Sequence, residues 1–240
     1  MKGEPKFKKV LLKISGDFFA QKNLPLSCAS CEFIAQEIKE TYETGIQLGV
    51  VIGGGNIVRG TTLCPGGIDR YTADFMGMIS TVINGMALRN FLSSAGIPCS
   101  LYSSIEVKGV VPLFNLEEVK KDLRENKIVI LAGGTGNPYF TTDTAAALRA
   151  VEIGAEILLK GTKVDGIYEE DPLIHPTAKK FSTLTYDEAI RLGIKVMDMS
   201  AITLCKENNI PIIVFKMDVK GNLKRIIMGE KIGSIVQEEK

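Results

Sequence analysis

The sequence predicts an α/β protein, a three-layer αβα sandwich with a central, mostly parallel sheet. Short apolar runs rich in β-branched residues alternate along the chain with longer amphipathic segments. The runs are mostly apolar on both faces, as expected of strands that helices cover on both sides. Strands that alternate with helices form parallel sheets through right-handed crossovers. The 240 residues contain no evident linker or internal repeat, so we expect one folding unit over 1–240.

Each element is predicted from its own segment. The strands are 10–14, 46–52, 98–102, 127–131, 156–159 and 211–215. The helices are 32–44, 74–95, 116–125, 142–154, 186–192 and 199–208. Glycines end the first, second and fifth helices, at Gly45, Gly96 and Gly193. The segment 181–240 is less regular, and we expect its charged end at 237–240 to fray.

Capping side chains mark the starts of two helices. Thr141 or Thr142 caps the fourth helix, and Asp143 lies in its first turn, where a negative charge is favourable. Thr185 caps the fifth helix, and Glu188 three residues later completes a capping box. These caps support the helical assignment of both segments.

Composition and charge exclude several classes of protein. With 29 Lys+Arg against 28 Asp+Glu, the net charge is +1, which argues against a dedicated nucleic-acid binder. The single histidine, His175, excludes a two-histidine metal site and is the only residue through which a Ser-His-Asp triad could run. No uncharged stretch reaches the roughly 18–20 residues of a membrane span, so no membrane association is expected.

The cysteines predict a cytoplasmic protein. Five cysteines in a chain of this length do not form the disulfide framework of a small secreted domain. Cys28 and Cys31 have the spacing of metal ligands, but no second pair follows nearby, so we interpret them as structural. The apolar run at 10–14 is too short, and too interrupted by Lys13, for a signal peptide.

Glycine is abundant, at 24 residues, and many of the glycines directly follow predicted strands. Glycine-containing loops follow the first, second, fourth and fifth strands, at 15–17, 53–60, 133–138 and 161–166. Loops at the carboxyl ends of parallel strands form the ligand crevice of such sheets. Because glycine lets backbone N–H groups approach an anion closely, these loops indicate phosphate binding.

The two common phosphate-binding loops do not fit, but the charges beside the glycine loops favour phosphoryl transfer. The chain has no Gly-Lys dipeptide for a Walker loop, and Val58 stands where the dinucleotide fingerprint needs its third glycine. Lys13 lies near the end of an otherwise apolar strand, and Arg59, Lys160 and Lys163 flank other glycine loops. Cations placed there suit the stabilisation of a transferring phosphoryl group.

Several motifs resemble those of the amino-acid-kinase superfamily. They are KISG at 13–16, GGGN at 53–56, TDTAA at 142–146, and KVDGIY at 163–168 with Asp171-Pro172. The resemblance is closest to the bacterial-type UMP kinases, or uridylate kinases. It rests there on GGGNIVRG at 53–60, DFMGM at 74–78, GTGNPYFTTD at 134–143 and KVMD at 195–198. The resemblance runs from about Val10 to Gln237 and implies the amino-acid-kinase (carbamate-kinase-like) fold.

The resemblance implies transfer of the ATP γ-phosphoryl group to UMP, with Mg²⁺ carried by the ATP phosphates. Lys13 and Asp143 are the implied catalytic residues, Lys13 stabilising the phosphoryl group and Asp143 organising the site. The implied ATP-binding residues are Lys13, Ile14, Ser15, Gly16, Gly55, Arg59, Thr162, Tyr168 and Asp171. The implied UMP-binding residues are Gly54, Asp74, Gly134, Thr135, Gly136, Asn137, Pro138, Tyr139, Phe140 and Thr141. The N-terminal part thus serves mainly UMP and the C-terminal part mainly ATP.

The resemblance also implies regulation and assembly. Relatives belong to de novo pyrimidine nucleotide biosynthesis, form homohexamers and are commonly inhibited by UTP. Many relatives carry a glutamate and a glycine-rich segment after the first loop, linked to activation by GTP. Here Asp17 and the glycine-free segment 18–25 stand instead, which puts GTP activation in doubt.

Two alternative functions remain open from the residues. A superfamily kinase acting on an amino-acid carboxylate shares Lys13 and the glycine loop at 53–55, but should lack the run at 134–143. A non-catalytic nucleotide sensor needs no organised lysine, so Lys13 and Asp143 argue against it. Turnover of UMP, CMP and N-acetylglutamate separates these functions.

Overall fold

The structure is a computed structural model, and it describes residues 4–59, 66–170, 172, 174–194 and 197–239. Its strands are β1 (Lys9–Ile14), β2 (Gln47–Ile52), β3 (Cys99–Ser103), β4 (Ile128–Ala132), β5 (Ile157–Thr162), β6 (Ile167–Tyr168), β7 (Lys180–Phe181), β8 (Thr183–Thr185), β9 (Ile212–Lys216) and β10 (Ser234–Gln237). Among these residues the main sheet has eight strands, in the order β3-β4-β2-β1-β5-β9-β10-β8. All its pairings are parallel except β9 with β10, and β6 pairs with β7 in a separate antiparallel ribbon. The predicted α/β class with a mostly parallel sheet is confirmed.

Among the described residues, every helix except the last begins at a side chain that accepts from free backbone N–H groups; the last follows Gly221 and has no such cap. The helices are α1 (Cys28–Tyr42), α2 (Arg70–Ser94), α3 (Leu116–Arg124), α4 (Thr142–Ile153), α5 (Tyr186–Arg191), α6 (Met199–Glu207) and α7 (Asn222–Ile227). The two predicted caps are confirmed: the Thr141 hydroxyl accepts from the N–H groups that begin α4, and Thr185 and Glu188 form a capping box. No helix in this part of the chain combines the length and apolar character that crossing a bilayer requires.

Alternation along the central strands directs side chains into two cores. Val10, Leu12 and Ile14 of β1 pack with α1, α2 and α7 on one face of the sheet. Leu11 packs on the opposite face, in a core that includes apolar residues of α3, α4, α5 and α6. Two covered faces make three layers, as predicted, and they explain why the central strands are apolar throughout.

Two predicted helix starts were too late, and the C-terminal quarter is more regular than expected. Helix α1 begins at Cys28 because the Ser27 hydroxyl accepts from a backbone N–H of its first turn, so Cys28 and Cys31 lie in that turn. Helix α2 begins at Arg70, capped by Asp69. The short elements β7, β8, α7 and β10 were not predicted, because two- to six-residue segments carry little periodic signal.

The glycine loop after β2 is packed against α2 with no room for a side chain. A Cβ atom at Gly54 would lie 2.6 Å from the Gly77 carbonyl oxygen and 2.8 Å from the Ser80 Cβ. At Gly16, after β1, a Cβ atom would lie 2.7 Å from the Gly55 nitrogen. Close packing between loop, helix and neighbouring loop is therefore a second reason for glycine here, besides the approach of an anion.

We predict that Gly54→Ala destabilises the protein by about 1–3 kcal/mol, because the added methyl group overpacks the contact with α2. Chemical denaturation followed by circular dichroism measures the change. Gly77→Ala is the matched control: its Cβ atom meets nothing within 4 Å, and alanine in a helix stabilises by about 1 kcal/mol relative to glycine. Equal unfolding midpoints for Gly54→Ala and the wild type would contradict the packing argument.

Candidate functional site

Two lysines stand directly opposite each other where the central strands end. Parallel β1 and β5 pair Lys13 with Lys160. Alternation places both side chains on the sheet face of Leu11 and Leu158, which packs against α4. Like charges directly opposite on neighbouring strands destabilise a sheet. The fold therefore needs an anionic group between them.

Asp143, in the first turn of α4, supplies that group. Its Oδ1 lies 3.0 Å from the Lys13 Nζ, and its Oδ2 lies 2.7 Å from the Lys160 Nζ. The three side chains are only 10–15% exposed. The Thr141 hydroxyl accepts from the Asp143 N–H at 3.0 Å and so fixes the start of the helix. We call these three residues the lysine–aspartate cluster.

The electrostatics of this cluster favour binding of an anion. Burial raises the pKa of the Asp143 carboxyl, but the charges of Lys13 and Lys160 and their hydrogen bonds outweigh it and hold the pKa below its ordinary value. Burial lowers the pKa of Lys160, and the charge of Lys13 acts in the same direction, against the attraction of Asp143. Lys13 and Lys160 share this one carboxylate, and ammonium groups are donors suited to a phosphate group.

Lys13 and Asp143 are predicted site residues, whereas Lys160 has no catalytic role predicted from the sequence. The signal was present, since Lys160, like Lys13, directly follows a run of apolar residues within its strand. What the sequence does not reveal is the register that sets the two lysines side by side.

A pocket of about 220 Å³ lies between α2, the loop after β2 and the loop before α4. We call it the α2 pocket. Its lining includes six of the residues predicted to bind UMP: Gly54, Asp74, Gly134, Thr135, Phe140 and Thr141. Gly55, predicted on the ATP side, also lines it. The other predicted UMP residues, Gly136, Asn137, Pro138 and Tyr139, belong to the same loop but do not line the pocket.

Asp74 ties α2 to the loop before α4. Its carboxylate accepts from the Arg70 Nε at 2.8 and 2.9 Å and from the Tyr139 backbone N–H at 2.7 Å. Tyr139 has a left-handed backbone, with φ of +72°, and its ring lies under the Arg70 guanidinium. Because this conformation costs a non-glycine residue about 1–2 kcal/mol, the hydrogen bond to Asp74 helps to hold the loop in place.

Two buried polar residues of α2 hold the glycine loops and were missed by the sequence analysis. The Asn84 Nδ2 donates to the Gly53 carbonyl oxygen at 2.8 Å. The Thr81 hydroxyl accepts from the Gly133 N–H at 2.7 Å. Both residues are at most 3% exposed. Polar side chains on the buried face of a helix are the signal that could have identified them.

The residues predicted to bind ATP phosphates lie where β1 and β2 end. Ile14 ends β1, and Ser15 and Gly16 follow it. The Arg59 guanidinium forms an ion pair with Asp17 and donates from Nε to the Gly55 carbonyl oxygen at 3.0 Å. These contacts join the first two glycine loops.

The residues predicted to line the ATP base and ribose are found near the end of β5. The Thr162 hydroxyl donates to the Val164 carbonyl oxygen at 2.6 Å. The Tyr168 hydroxyl donates to the Asp165 carboxylate, which also pairs with Lys180. Asp171 lies outside the described residues, as does Lys195 of the KVMD motif.

Asp198, the last residue of that motif, joins α6 to α4. It caps α6 by accepting from the Ala201 N–H at 2.8 Å. Its carboxylate also accepts from the hydroxyls of Thr141 and Thr144 in the first turn of α4. This contact supports the turn that carries Asp143.

Comparison with known proteins agrees with this geometry. The profile of the amino acid kinase family matches residues 8–216. The chain therefore belongs to the amino acid kinase family. The uridylate kinase of Bacteroides thetaiotaomicron is 47% identical over 232 residues, which cover 96% of this chain and 98% of that protein.

Two solved structures show the same fold. The UMP kinase from Bacillus anthracis superposes with a TM-score of 0.94 at 34% identity, covering 98% of this chain and 97% of the other. The UMP kinase from Ureaplasma parvum superposes with a TM-score of 0.91 at 35% identity, covering 96% and 99%. The resemblance to bacterial-type UMP kinases, drawn from the motifs, is thereby confirmed.

We predict that Asp143→Asn lowers the free energy of unfolding at pH 7 by about 3–5 kcal/mol, because it removes the carboxylate that pairs with two nearly buried ammonium groups. The folded-state pKa of Asp143 lies below the ordinary value of 3.8. The carboxylate's contribution is therefore complete above pH 3.8 and is lost as the pH falls through the lower, folded-state value.

Urea denaturation at a series of pH values measures this difference. The gap between wild type and Asp143→Asn should narrow only below about pH 4. Asp187→Asn is the control, because that 71% exposed carboxylate pairs with a single lysine and its loss should change stability little. A gap of the same size at pH 7 and pH 3 would show that the carboxylate charge does not stabilise the fold.

Proposed function

We propose that the protein is a UMP kinase that transfers the γ-phosphoryl group of ATP reversibly to UMP, giving ADP and UDP. The observation that carries this proposal is the position of the lysine–aspartate cluster next to the α2 pocket. Thr141 and Thr142 line the pocket and directly precede Asp143 in the chain. The two lysines suit the transferring phosphoryl group, and the pocket suits the acceptor. The relatives named uridylate kinase support the choice of acceptor.

In this proposal the transfer proceeds in line, and the protein acts by positioning and by neutralising charge. Lys13 stabilises the phosphoryl group during its transfer. Asp143 pairs with both Lys13 and Lys160 and holds their side chains on one face of the sheet. The cluster is nearly closed to solvent, which strengthens its electrostatic interactions. A limited supply of water also protects ATP from hydrolysis.

We propose one catalytic domain over 1–240, with the acceptor in its N-terminal part and ATP mainly in its C-terminal part. The α2 pocket and its loop hold UMP through the residues named above. ATP lies along the ends of β1 and β5, against Lys13, Ile14, Ser15, Gly16, Gly55, Arg59, Thr162, Tyr168 and Asp171. Thr141 and the neighbouring backbone read the base edge, because unpaired polar groups there would disfavour other bases.

We propose that Mg²⁺ enters as MgATP, bound by the phosphates of the co-substrate. The state of Asp143 supports this: both of its oxygens already face an ammonium group within 3.0 Å. Such a carboxylate organises cations better than it ligates another one. Mg²⁺ on the triphosphate neutralises part of the negative charge of the phosphates, in addition to the part that the two lysines neutralise.

We further propose a role in pyrimidine nucleotide biosynthesis in the cytoplasm, with inhibition by UTP. UTP shares the base and ribose of UMP and carries a triphosphate that the positive cluster would also attract. This shared chemistry supports feedback by the end product.

An assay coupled to ADP release tests the proposed function. We expect turnover with UMP, much weaker turnover with CMP and none with N-acetylglutamate. Turnover with N-acetylglutamate in place of UMP would assign the chain to a carboxylate kinase. Binding of UMP without turnover would assign it to a nucleotide sensor.

Lys13→Ala should lower kcat at least about 100-fold while preserving much of the UMP affinity, because the lysine acts on the transferring group. Steady-state kinetics and isothermal titration calorimetry measure the two quantities. Lys206→Ala removes a lysine that pairs with Asp187 at the surface and should leave both unchanged. Unchanged turnover in Lys13→Ala would refute the assigned role.

We propose that the protein is a homo-oligomer, a hexamer as the family resemblance implies. An apolar stripe on α2 supports association: Ile79 is 51%, Ile83 42% and Met86 37% exposed. With Val110, these side chains line a groove of about 640 Å³. Contiguous exposed apolar surface of this kind is typical of protein interfaces.

Sedimentation velocity tests the assembly. Ile83→Asp should convert the wild-type species to one of smaller mass, because it buries a charge in the interface. Ile174→Asp is the control, since that isoleucine is 70% exposed and lies outside the stripe. A monomeric wild type, or an Ile83→Asp protein of wild-type mass, would contradict an interface on this face.

A further inference from the structure

A buried arginine on α4 points away from the lysine–aspartate cluster and plays no part in the mechanism above. Arg149 is 4% exposed. Its Nη1 pairs with Glu152, and its guanidinium carbon lies 3.8 Å from the centroid of the Phe114 ring. Its Nη2 donates to the Ser104 hydroxyl at 2.9 Å. The stacked ring and the ion pair fix the guanidinium plane, so this last hydrogen bond has a defined direction.

The Ser104 hydroxyl passes this hydrogen bond on to the loop that lines the α2 pocket. Arginine has no acceptor, so the serine oxygen must accept from it and use its own proton elsewhere. The nearest acceptor is the Gly134 carbonyl oxygen at 2.8 Å, and the Ala132 carbonyl oxygen follows at 3.2 Å. A donor polarised by a cation forms a stronger hydrogen bond than a free hydroxyl does.

Gly134 lines the pocket, whereas Ser104 and Arg149 do not. The loop is therefore held from two sides: by Thr81 of α2 through the Gly133 N–H, and by Ser104 through the Gly134 carbonyl group. The loop also packs closely on Ser104, because a Cβ atom at Gly136 would lie 2.9 Å from the Ser104 carbonyl oxygen.

We propose that Arg149 and Ser104 are positioning residues that set the affinity for the acceptor nucleotide by fixing the Gly134 carbonyl group. The proposal rests on the proposed binding of UMP in the α2 pocket. We call the hydrogen bonds from Arg149 to Ser104 and from Ser104 to Gly134 the relay. The relay supports the pocket wall from residues that do not line the pocket, and it does not contact the lysine–aspartate cluster. Its loss should therefore change acceptor binding and leave the chemical step and ATP binding unaltered.

Ser104→Ala removes both hydrogen bonds and little volume. We expect the Kd and KM for UMP to rise about 5- to 10-fold, the effect of one hydrogen bond of about 1–1.5 kcal/mol. The kcat and the KM for ATP should stay within about twofold. Ser234→Ala is the matched control: that buried hydroxyl accepts from the Ile167 N–H and donates to the Phe181 carbonyl oxygen, away from the α2 pocket. It should leave the Kd for UMP unchanged.

Arg149→Lys keeps a positive charge but loses the planar guanidinium group. This variant tests whether Arg149 and Ser104 act as one unit. Arg149→Lys alone should raise the Kd for UMP, and adding it to Ser104→Ala should raise the Kd little further. Additive effects would overturn the relay. An equal rise in the Kd for UMP in Ser104→Ala and Ser234→Ala would also overturn the relay, because an equal effect would indicate general destabilisation of the fold.

Calorimetry on the wild type separates failure of this inference from failure of the proposed function. If the wild type binds UMP and Ser104→Ala binds it with the same Kd, only the relay is overturned. A wild type that does not bind UMP overturns the proposed function. Amide hydrogen exchange then still tests the relay: the Gly136 N–H, bonded to the Gly133 carbonyl oxygen, should exchange faster in Ser104→Ala, and an unchanged rate would contradict it.

Discussion

The constraint on which the site depends is the pairing of two like charges across neighbouring parallel strands. The register of β1 and β5 places Lys13 beside Lys160, on the face that α4 covers. Asp143 pairs with both ammonium groups in a nearly dry environment, and its loss would cost several kcal/mol. The two lysines and the carboxylate that they share stand at the ends of the central strands, where a parallel sheet binds its ligand.

The surrounding polar contacts keep that carboxylate and its neighbours in place. Thr141 caps the first turn of α4, and Asp198 at the start of α6 accepts from hydroxyls of the same turn. On the other side, Asn84 of α2 fixes the glycine loop after β2. Each contact joins the end of one element to the start of another, so the site is formed by helix and strand ends that the two cores hold rigid.

The sequence predicts those parts of the fold and the site that have local signals. Apolar runs identify the central strands, threonine caps identify helix starts, and a lysine in an apolar strand identifies Lys13. The role of Lys160 depends on strand register, and the roles of Asn84 and Ser104 depend on contacts between residues distant in the chain. Such contacts leave no periodic pattern. The short elements after residue 180 escape prediction because tertiary packing, more than local propensity, stabilises them.

A crystal structure with UMP and a non-hydrolysable ATP analogue tests the central claim most directly. We expect the γ-phosphate within hydrogen-bonding distance of the Lys13 Nζ, Asp143 still between the two lysines, and the UMP phosphate in the α2 pocket beside Gly54. A complex in which the triphosphate lies away from both Lys13 and Lys160 would contradict the account.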